Sequence, residues 1–282
     1  MTTNLNLSAL ELPAVPLVAT KVMDMVSDPN TSLNELHKVI ISDQALTSRL
    51  LKVANSSFYG ARHQVDTISE AIAIMGLNTL KNITLAVSTR EVYKKFGIIE
   101  QKLWEHSIGV SIAAGMLADY GSTVKKEEAV IAGLLHDIGK VIMNNHDQNN
   151  FSLLLERIHE EKVAFSSIEK DFFGFGHEEA GYMLMNKWGF PHMLCEVVRN
   201  HHNCILDEAI QAASSSRILC ATIALADAIC VKLGVGYKDP MPELYLGEGA
   251  LKKVLGIPDD DFSEISEAFK MTYIREKMFF TA

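Results

Sequence analysis

The sequence predicts an all-α fold, and three observations lead to this prediction. Apolar residues recur three or four positions apart through most of the chain, as in Val18, Val22 and Met25, which is the spacing of one helix face. The alternation of apolar and polar residues that marks β-strands is hard to find. Residues typical of helix starts and stops separate the periodic segments. We therefore expect helices of moderate length joined by short loops.

The N-terminal segment, residues 12–92, is predicted to form four or five helices. Ser27-Asp28-Pro29 ends one helix, and Ser42-Asp43 caps the helix that runs to about Asn55. Thr67 or Ser69 caps the next one. Few ionisable residues fall on the apolar faces of these helices, so this segment is expected to be a structural layer.

The rest of the chain divides into two further segments. From about Leu103 to Gly234, histidines and aspartates interrupt otherwise apolar helical runs. The stretch from Tyr237 opens with Pro240 and Pro242 and closes with an amphipathic helix around residues 262–280. We predict three parts: residues 10–95, residues 96–235 and a C-terminal helical extension, residues 236–282.

Composition narrows the class of function. The 282 residues include 26 basic and 35 acidic ones, a net charge of −9, and 48 % are hydrophobic. This balance argues against general attraction to nucleic acid or anionic lipid. The most apolar stretch, residues 218–231, is shorter than the ~20 residues that a membrane span needs. The four cysteines form no C-x-x-C pair and the first 20 residues carry no export signal, so a reduced, cytoplasmic protein is expected.

One His-Asp pair, His136-Asp137, lies inside the apolar run of residues 129–143. A buried carboxylate without a partner costs several kcal/mol, and a metal ion would neutralise it directly. Lys140 follows Asp137 by three residues, so the three side chains can project toward one side of a helix. A buried Asp–Lys pair beside a core histidine explains the motif equally well.

A second acid, Asp227, interrupts the apolar run of residues 218–229 and poses the same solvation problem. His106, His177 and the pair His201-His202 complete a histidine and carboxylate set. Mixed ligation of this kind suits iron, manganese, nickel or zinc. Each histidine alone is more typical of a packing or surface role, whereas the joint occurrence is much more specific.

Along the chain these residues occur in the order His, His-Asp, His, His-His, Asp. With this order, positions 103–230 resemble the HD superfamily of metal-dependent phosphohydrolases, and most closely its HD-GYP branch. The resemblance implies two divalent transition metal ions, with iron or manganese favoured, that share Asp137. It implies that one ion is held by His106, His136, Asp137 and Asp227, and the second by Asp137, His177, His201 and His202. It also places Lys140 near the scissile phosphate, so that Asp137 and Lys140 are the catalytic candidates.

Several N-terminal motifs are similar to the HDOD domain, an HD-related output module of bacterial signalling proteins. They are Leu12-Pro13-Ala14-Val15-Pro16, Asp43-Gln44-Ala45-Leu46, and the segments 50–60 and 71–76. Together the two resemblances cover about residues 10–235. They imply an HDOD layer packed on an HD-type metal-binding bundle, and a signalling protein as a partner. For Asn55-Ser56 we expect only a helix-terminating turn.

Two positions depart from the HD-GYP pattern. The chain reads Asn203-Cys204-Ile205 after His202, without the Gly-Tyr-Pro loop that these enzymes use around a cyclic dinucleotide. Lys102 stands where trimetallic relatives carry a glutamate, so at most two ions are expected.

Hydrolysis of a phosphoester is the reaction that the resemblance favours. The expected ligand is a small phosphoester or nucleotide, with a cyclic dinucleotide as one case. Two ions about 3.5–4 Å apart would activate water and clamp the phosphoester oxygens, and Lys140 would offset charge on the phosphoryl group. The alternative is a non-catalytic signalling output or scaffold module that keeps a structural metal site.

Other chemistries fit the sequence less well. A helix-turn-helix in residues 69–87 would place Asn82 where a buried apolar residue is required. The chain has no Gly-x-Ser-x-Gly motif, and residues 174–177 lack the spacing and lysine of a phosphate-binding loop. Cys204, close after His202, is the one cysteine that could act as an extra soft ligand.

Overall fold

The computed structural model describes residues 7, 10–55, 63–93, 97–120, 124–203, 215–241 and 247–281, and these residues contain no β-strand. The all-α prediction is confirmed. The helices are α1 (Leu17–Ser27), α2 (Leu33–Ile41), α3 (Gln44–Ala54), α4 (Ile68–Met75), α5 (Leu77–Ser88), α6 (Ile98–Asp119), α7 (Lys126–Leu135), α8 (Ile138–His146), α9 (Gln148–Glu161), α10 (Phe165–Phe173), α11 (His177–Lys187), α12 (His192–Asn200), α13 (Ser215–Leu233), α14 (Glu248–Leu255) and α15 (Asp259–Thr281). A 3₁₀ turn, Thr89–Val92, follows α5.

The chain forms two compact units. The smaller unit comprises Ala14–Val92 and Ile274–Ala282, and the larger unit comprises Met1–Pro13 and Tyr93–Tyr273. Each has its own buried apolar core, around Leu36 and Leu50 in the smaller unit and around Phe151 and Trp188 in the larger one. The division into three functional parts at residues 95 and 235 stays a prediction.

Local capping shapes the smaller unit. The Asp43 carboxylate accepts a hydrogen bond from the Leu46 amide at 2.9 Å and starts α3, and the Thr67 hydroxyl accepts one from the Glu70 amide and starts α4. Both residues were among the predicted caps, and each satisfies an amide that the first helical turn leaves without a partner.

Asn55 ends α3 and holds a distant backbone segment. Its amide nitrogen donates to the carbonyls of Leu51 at 2.9 Å and Val65 at 2.7 Å, and its oxygen accepts from the Val65 amide at 2.7 Å. Asn55 therefore has a structural role, because its side chain joins the end of α3 to the backbone of Val65. Ser56 lies outside the described residues.

Close backbone packing brings helix ends together in the larger unit. Helix α6 packs against α7 and α13, and α11 packs against α8 and α12. A Cβ added to Gly133 would lie 2.8 Å from Cα of Ser111, and one added to Gly139 would lie 1.8 Å from the carbonyl oxygen of His177. Only glycine allows these two pairs of helices to approach so closely.

None of the described helices combines the length and the apolarity that crossing a bilayer requires. Cys195, Cys220 and Cys230 are buried. Burial raises the pKa of the Cys195 thiol to about 11, so this thiol is unreactive at neutral pH. Cys204 lies outside the described residues.

Candidate metal centre

The predicted ligands come from helix ends and from two helix interiors. His136 and Asp137 occupy the junction between α7 and α8, and His177 is the first residue of α11. His201 and His202 directly follow α12. His106 and Asp227 project from within α6 and α13, which pack against each other.

The carboxylate of Asp137 lies at the middle of the centre and is almost fully buried. Its Oδ2 atom is 3.3 Å from Nε2 of His136 and 3.5 Å from Nε2 of His106. His106 Nε2 also lies 3.1 Å from Oδ1 of Asp227. We call His106, His136 and Asp137 the first cluster, since each can offer one atom within 4.8 Å of the others.

The other oxygen of Asp137 faces a different set of histidines. Oδ1 is 3.3 Å from Nε2 of His177 and 3.7 Å from Nε2 of His201. The Nε2 atom of His177 is 3.2 Å from that of His201 and 3.2 Å from that of His202. We call Asp137, His177, His201 and His202 the second cluster. Asp137 thus presents one oxygen to each cluster, which is the arrangement that a bridging carboxylate needs.

The outer nitrogens of four histidines are held by acceptors. Nδ1 of His136 lies 2.7 Å from the Gly133 carbonyl, and Nδ1 of His201 lies 2.8 Å from that of Val198. Each of these carbonyls belongs to the residue three positions before the histidine and lies in the last turn of a helix, where carbonyls have no amide partner within the helix. His106 Nδ1 lies 3.0 Å from the Val235 carbonyl, and His177 Nδ1 lies 2.8 Å from Oε2 of Glu169.

Because carbonyl and carboxylate oxygens accept hydrogen bonds, Nδ1 is the donor nitrogen of each ring, and Nε2 points toward Asp137 or Asp227.

This geometry fits a divalent metal. Nε2 of His106 and His136 and Oδ1 of Asp137 are buried and form no hydrogen bond with the described part of the chain. Facing lone pairs at 3.2–3.3 Å repel one another unless a proton or a cation lies between them. Imidazole nitrogens and carboxylate oxygens are the donors that iron, manganese, nickel and zinc take. Helix-end carbonyls and Glu169 supply the outer hydrogen bonds that ligating histidines usually make.

Electrostatics keep the carboxylates ionised and two of the rings neutral. Burial raises the pKa of Asp137, but interactions with His136 and with the Lys140 ammonium outweigh it and hold this pKa well below its usual range. Burial also opposes ionisation of Asp227, and the nearby imidazole of His106 lowers its pKa overall. Burial lowers the pKa of His136, and burial together with His201 lowers that of His202. These two neutral rings beside ionised carboxylates are in the state that metal binding requires. Burial lowers the pKa of His201 as well, but Asp137 more than offsets this and raises it overall.

Lys140 lies in the first turn of α8. Its ammonium donates to Oδ2 of Asp137 at 2.6 Å and lies 4.6 Å from the centre of the Phe165 ring. Burial lowers the pKa of Lys140, but Asp137 more than offsets this and raises it overall, so the side chain stays charged. The Asp–Lys ion pair, which was the alternative explanation of the His-Asp motif, is therefore present, and it lies within the centre itself.

The structure brings together all eight residues singled out from the sequence: His106, His136, Asp137, Lys140, His177, His201, His202 and Asp227. Metal ligation by them stays a prediction.

Two contributors were missed. Tyr237 packs edge-on against His106, with ring centres 5.3 Å apart, and Glu169 accepts from His177. A signal for Glu169 exists, because Phe165, Glu169 and Phe173 recur every four residues and place an acid on an apolar stripe.

Comparisons with known proteins agree with this helical fold. The HDOD domain matches residues 12–204. The chain is 26 % identical over 194 residues to an uncharacterised protein of Treponema pallidum (strain Nichols), covering 68 % of this chain and 38 % of that protein. The chain thus spans well under half the length of that curated relative.

Two crystal structures are similar along nearly their whole length. An HDOD domain protein of unknown function from Geobacter sulfurreducens has a TM-score of 0.71 and 25 % identity, with 95 % of this chain and 92 % of that chain covered. A candidate metal-dependent phosphohydrolase from Shewanella amazonensis has a TM-score of 0.67 and 22 % identity, with 94 % of each chain covered. At 22 % identity the second likeness concerns the fold alone.

The fold and the centre thus define a helical HD-type protein. Since the HDOD match covers more than half of the residues, this chain belongs to the HDOD domain family.

Proposed function

We propose that this chain is a metal-dependent phosphohydrolase that acts on a phosphoester in bacterial signalling, with a nucleotide or cyclic dinucleotide as the substrate. The observation that carries the proposal is the pair of clusters that share Asp137, with one carboxylate oxygen facing each. A hydrolytic centre for phosphoesters commonly consists of two adjacent metal sites of this kind. The similar structure from Shewanella amazonensis, which is described as a candidate metal-dependent phosphohydrolase, is in line with the proposal.

Two divalent ions, iron or manganese in the first place and nickel or zinc as substitutes, would supply Lewis acidity to water and to the phosphoester oxygens. The first would be held by the first cluster with Asp227, and the second by the second cluster. Asp137 would be shared between the two ions.

Lys140 has the charge and the position for a role in turnover. Its ammonium is buried beside Asp137, and the raised pKa keeps it protonated at neutral pH. A fixed positive charge at this point offsets negative charge that develops on phosphoryl oxygens, and it needs no further protein nucleophile. Replacing Lys140 would thus lower turnover more than it lowers metal content.

A second candidate function is a non-catalytic signalling output or scaffold module with a structural metal site. Burial favours this alternative, because His136, His177 and His201 are fully buried and only His202, among the predicted ligands, is half-buried. A structural site is closed, whereas a catalytic one keeps a position for water or substrate. Neutralisation of Asp137 by Lys140 is also what a stable apo core needs.

Metal content and turnover distinguish the two functions. Wild type, Asp137→Ala and Lys140→Met would be loaded with Mn²⁺ or Fe²⁺, analysed for metal, and assayed with an aryl phosphodiester and a panel of nucleotides. We expect about two ions per chain in wild type, their loss in Asp137→Ala, and in Lys140→Met a fall in turnover of about 10²-fold or more with metal retained. Lys170→Met removes an exposed lysine and serves as the matched control.

Metal uptake without turnover on any phosphoester would favour the scaffold function. Equal loss of metal and turnover in Lys140→Met would remove the catalytic role of this lysine. If wild type takes up no metal after reconstitution, the metal centre itself is excluded.

A further inference from the structure

The histidines of the centre differ in what holds their outer nitrogens. His106, His136 and His201 each point Nδ1 at a neutral backbone carbonyl. His177 points Nδ1 at the carboxylate of Glu169, at 2.8 Å. Among these four rings only His177 has a charged outer partner, and it belongs to the second cluster.

Glu169 is buried in a way that makes a purely structural role costly. Its side chain is completely inaccessible to solvent, on the stripe of α10 that also carries Phe165 and Phe173. Within the described residues, Oε2 accepts from the amide and from Nδ1 of His177, both at 2.8 Å, while Oε1 has no hydrogen-bond partner. A buried, half-satisfied carboxylate costs several kcal/mol unless a positive charge lies close by.

The two clusters also differ in negative charge. Asp137 is shared, and the first cluster has a second carboxylate beside it, since Asp227 lies 3.1 Å from His106. The second cluster contains three histidines and no acid apart from Asp137. Glu169 adds a second negative charge to this cluster, although it contacts His177 and not the inner face of the cluster. Each divalent ion would then have two carboxylates nearby.

Glu169 and Glu178 could also be read as ligands of an additional ion, because each offers an oxygen within 4.8 Å of a His177 nitrogen. His177 has no nitrogen to spare for such an ion. Its Nε2 faces Asp137 and two histidines, and its Nδ1 donates to Glu169. The geometry favours an outer partner of the second cluster.

We propose that Glu169 is the positioning residue of the second cluster: it fixes the tautomer and the plane of His177 and supplies the negative charge that the cluster's own ligands lack. This inference rests on the proposed metal centre. An outer carboxylate makes the ligating imidazole more basic, and removing such a partner typically weakens metal binding about 10–100-fold.

The test is a Co²⁺ titration of metal-free wild type, Glu169→Gln and Glu169→Asp, followed by calorimetry and by visible absorption of the bound cobalt. We expect two equivalents in wild type. In Glu169→Gln one equivalent should keep its affinity while the other weakens about 10–100-fold, and only the cobalt bands of the weakened site should change. Glu169→Asp keeps the charge and should recover part of the loss, which a mere packing defect would not show.

Glu100→Gln is the matched control. Glu100 is another buried glutamate of the larger unit, but its carboxylate accepts from Asn144 at 2.6 Å and contacts neither cluster. Its replacement should leave both Co²⁺ affinities unchanged. If Glu169→Gln does not fold, Glu169→Asp alone decides, since a shortened carboxylate should weaken one equivalent and leave the other intact.

Unchanged affinities in a folded Glu169 variant would overturn the positioning role and leave the proposed function intact. Three equivalents in wild type would also overturn it, because Glu169 and Glu178 would then hold an ion themselves. Two Co²⁺ ions with no phosphoester turnover would remove the hydrolase function and leave the role of Glu169 in place. Failure of wild type to bind Co²⁺ would exclude both.

Discussion

The two units of this chain treat their buried polar groups in opposite ways. In the described residues of the smaller unit, the buried polar side chains are the hydroxyls of Thr84, Ser88 and Thr89, and the last two donate to carbonyls of α5. The larger unit buries histidines, carboxylates and a lysine around Asp137. Hydroxyls bonded to their own helix stabilise a fold, whereas ionisable groups that point at one another imply a ligand.

The difference has an energetic meaning. Each buried charge costs several kcal/mol, and Lys140 compensates only one oxygen of Asp137. A chain that needed only a stable core would do as well with apolar residues at these positions. The larger unit therefore carries a cost that the smaller unit avoids, and a bound cation is the ligand that would offset it.

The largest expected effect comes from breaking the close approach that forms the second cluster. Gly139→Ala would place a methyl group 1.8 Å from the carbonyl oxygen of His177, so α8 and α11 must separate. We expect a loss of at least about 3 kcal/mol in the free energy of unfolding, at the upper end for overpacking, together with loss of at least one bound metal ion. Urea unfolding and elemental analysis measure the two effects.

Gly249→Ala is the control for that substitution. Gly249 lies in α14 of the same unit, and no atom lies within 4 Å of the added Cβ. Replacing a helical glycine there should stabilise by about 0.5–1 kcal/mol without changing metal content. If Gly139→Ala matched this control, close packing of α8 on α11 would not determine the position of His177.

An intermediate effect is expected in the smaller unit. Asn55→Ala removes three hydrogen bonds and leaves both the amide and the carbonyl of Val65, a buried residue, without their side-chain partner. We expect a loss of about 2 kcal/mol, within the range for unsatisfied buried groups, with two Co²⁺ ions still bound. A change in Co²⁺ stoichiometry would contradict the separation of stability from metal binding between the two units.

The sequence predicts those features of the fold and the site that depend on residues close together in the chain, and it does not predict contacts between distant residues. Asp43 and Thr67 were recognised as caps because capping depends on residues three positions apart. Asp137 and Asp227 were recognised because an acid in an apolar run is conspicuous. The partner of His106 was not, since the Val235 carbonyl is 129 residues away in sequence. Glu169 was missed because the polar residues around it make α10 read as an ordinary amphipathic helix.

The smallest expected effect concerns the exposed helix starts of the smaller unit. Glu35 accepts hydrogen bonds from the Ser32 hydroxyl at 2.8 Å and from its amide at 3.0 Å, and these bonds lower the pKa of Glu35. A carboxyl with a lowered folded-state pKa stabilises above its unfolded value of about 4.3, and this contribution is lost as the pH falls through the folded pKa. Glu35→Gln should therefore lower the thermal midpoint of the metal-free protein slightly at pH 7. The difference from wild type should shrink as the pH falls below about 4.3 and vanish below the folded-state pKa. A difference that persisted in acid would show that charge on Glu35 is not its cause.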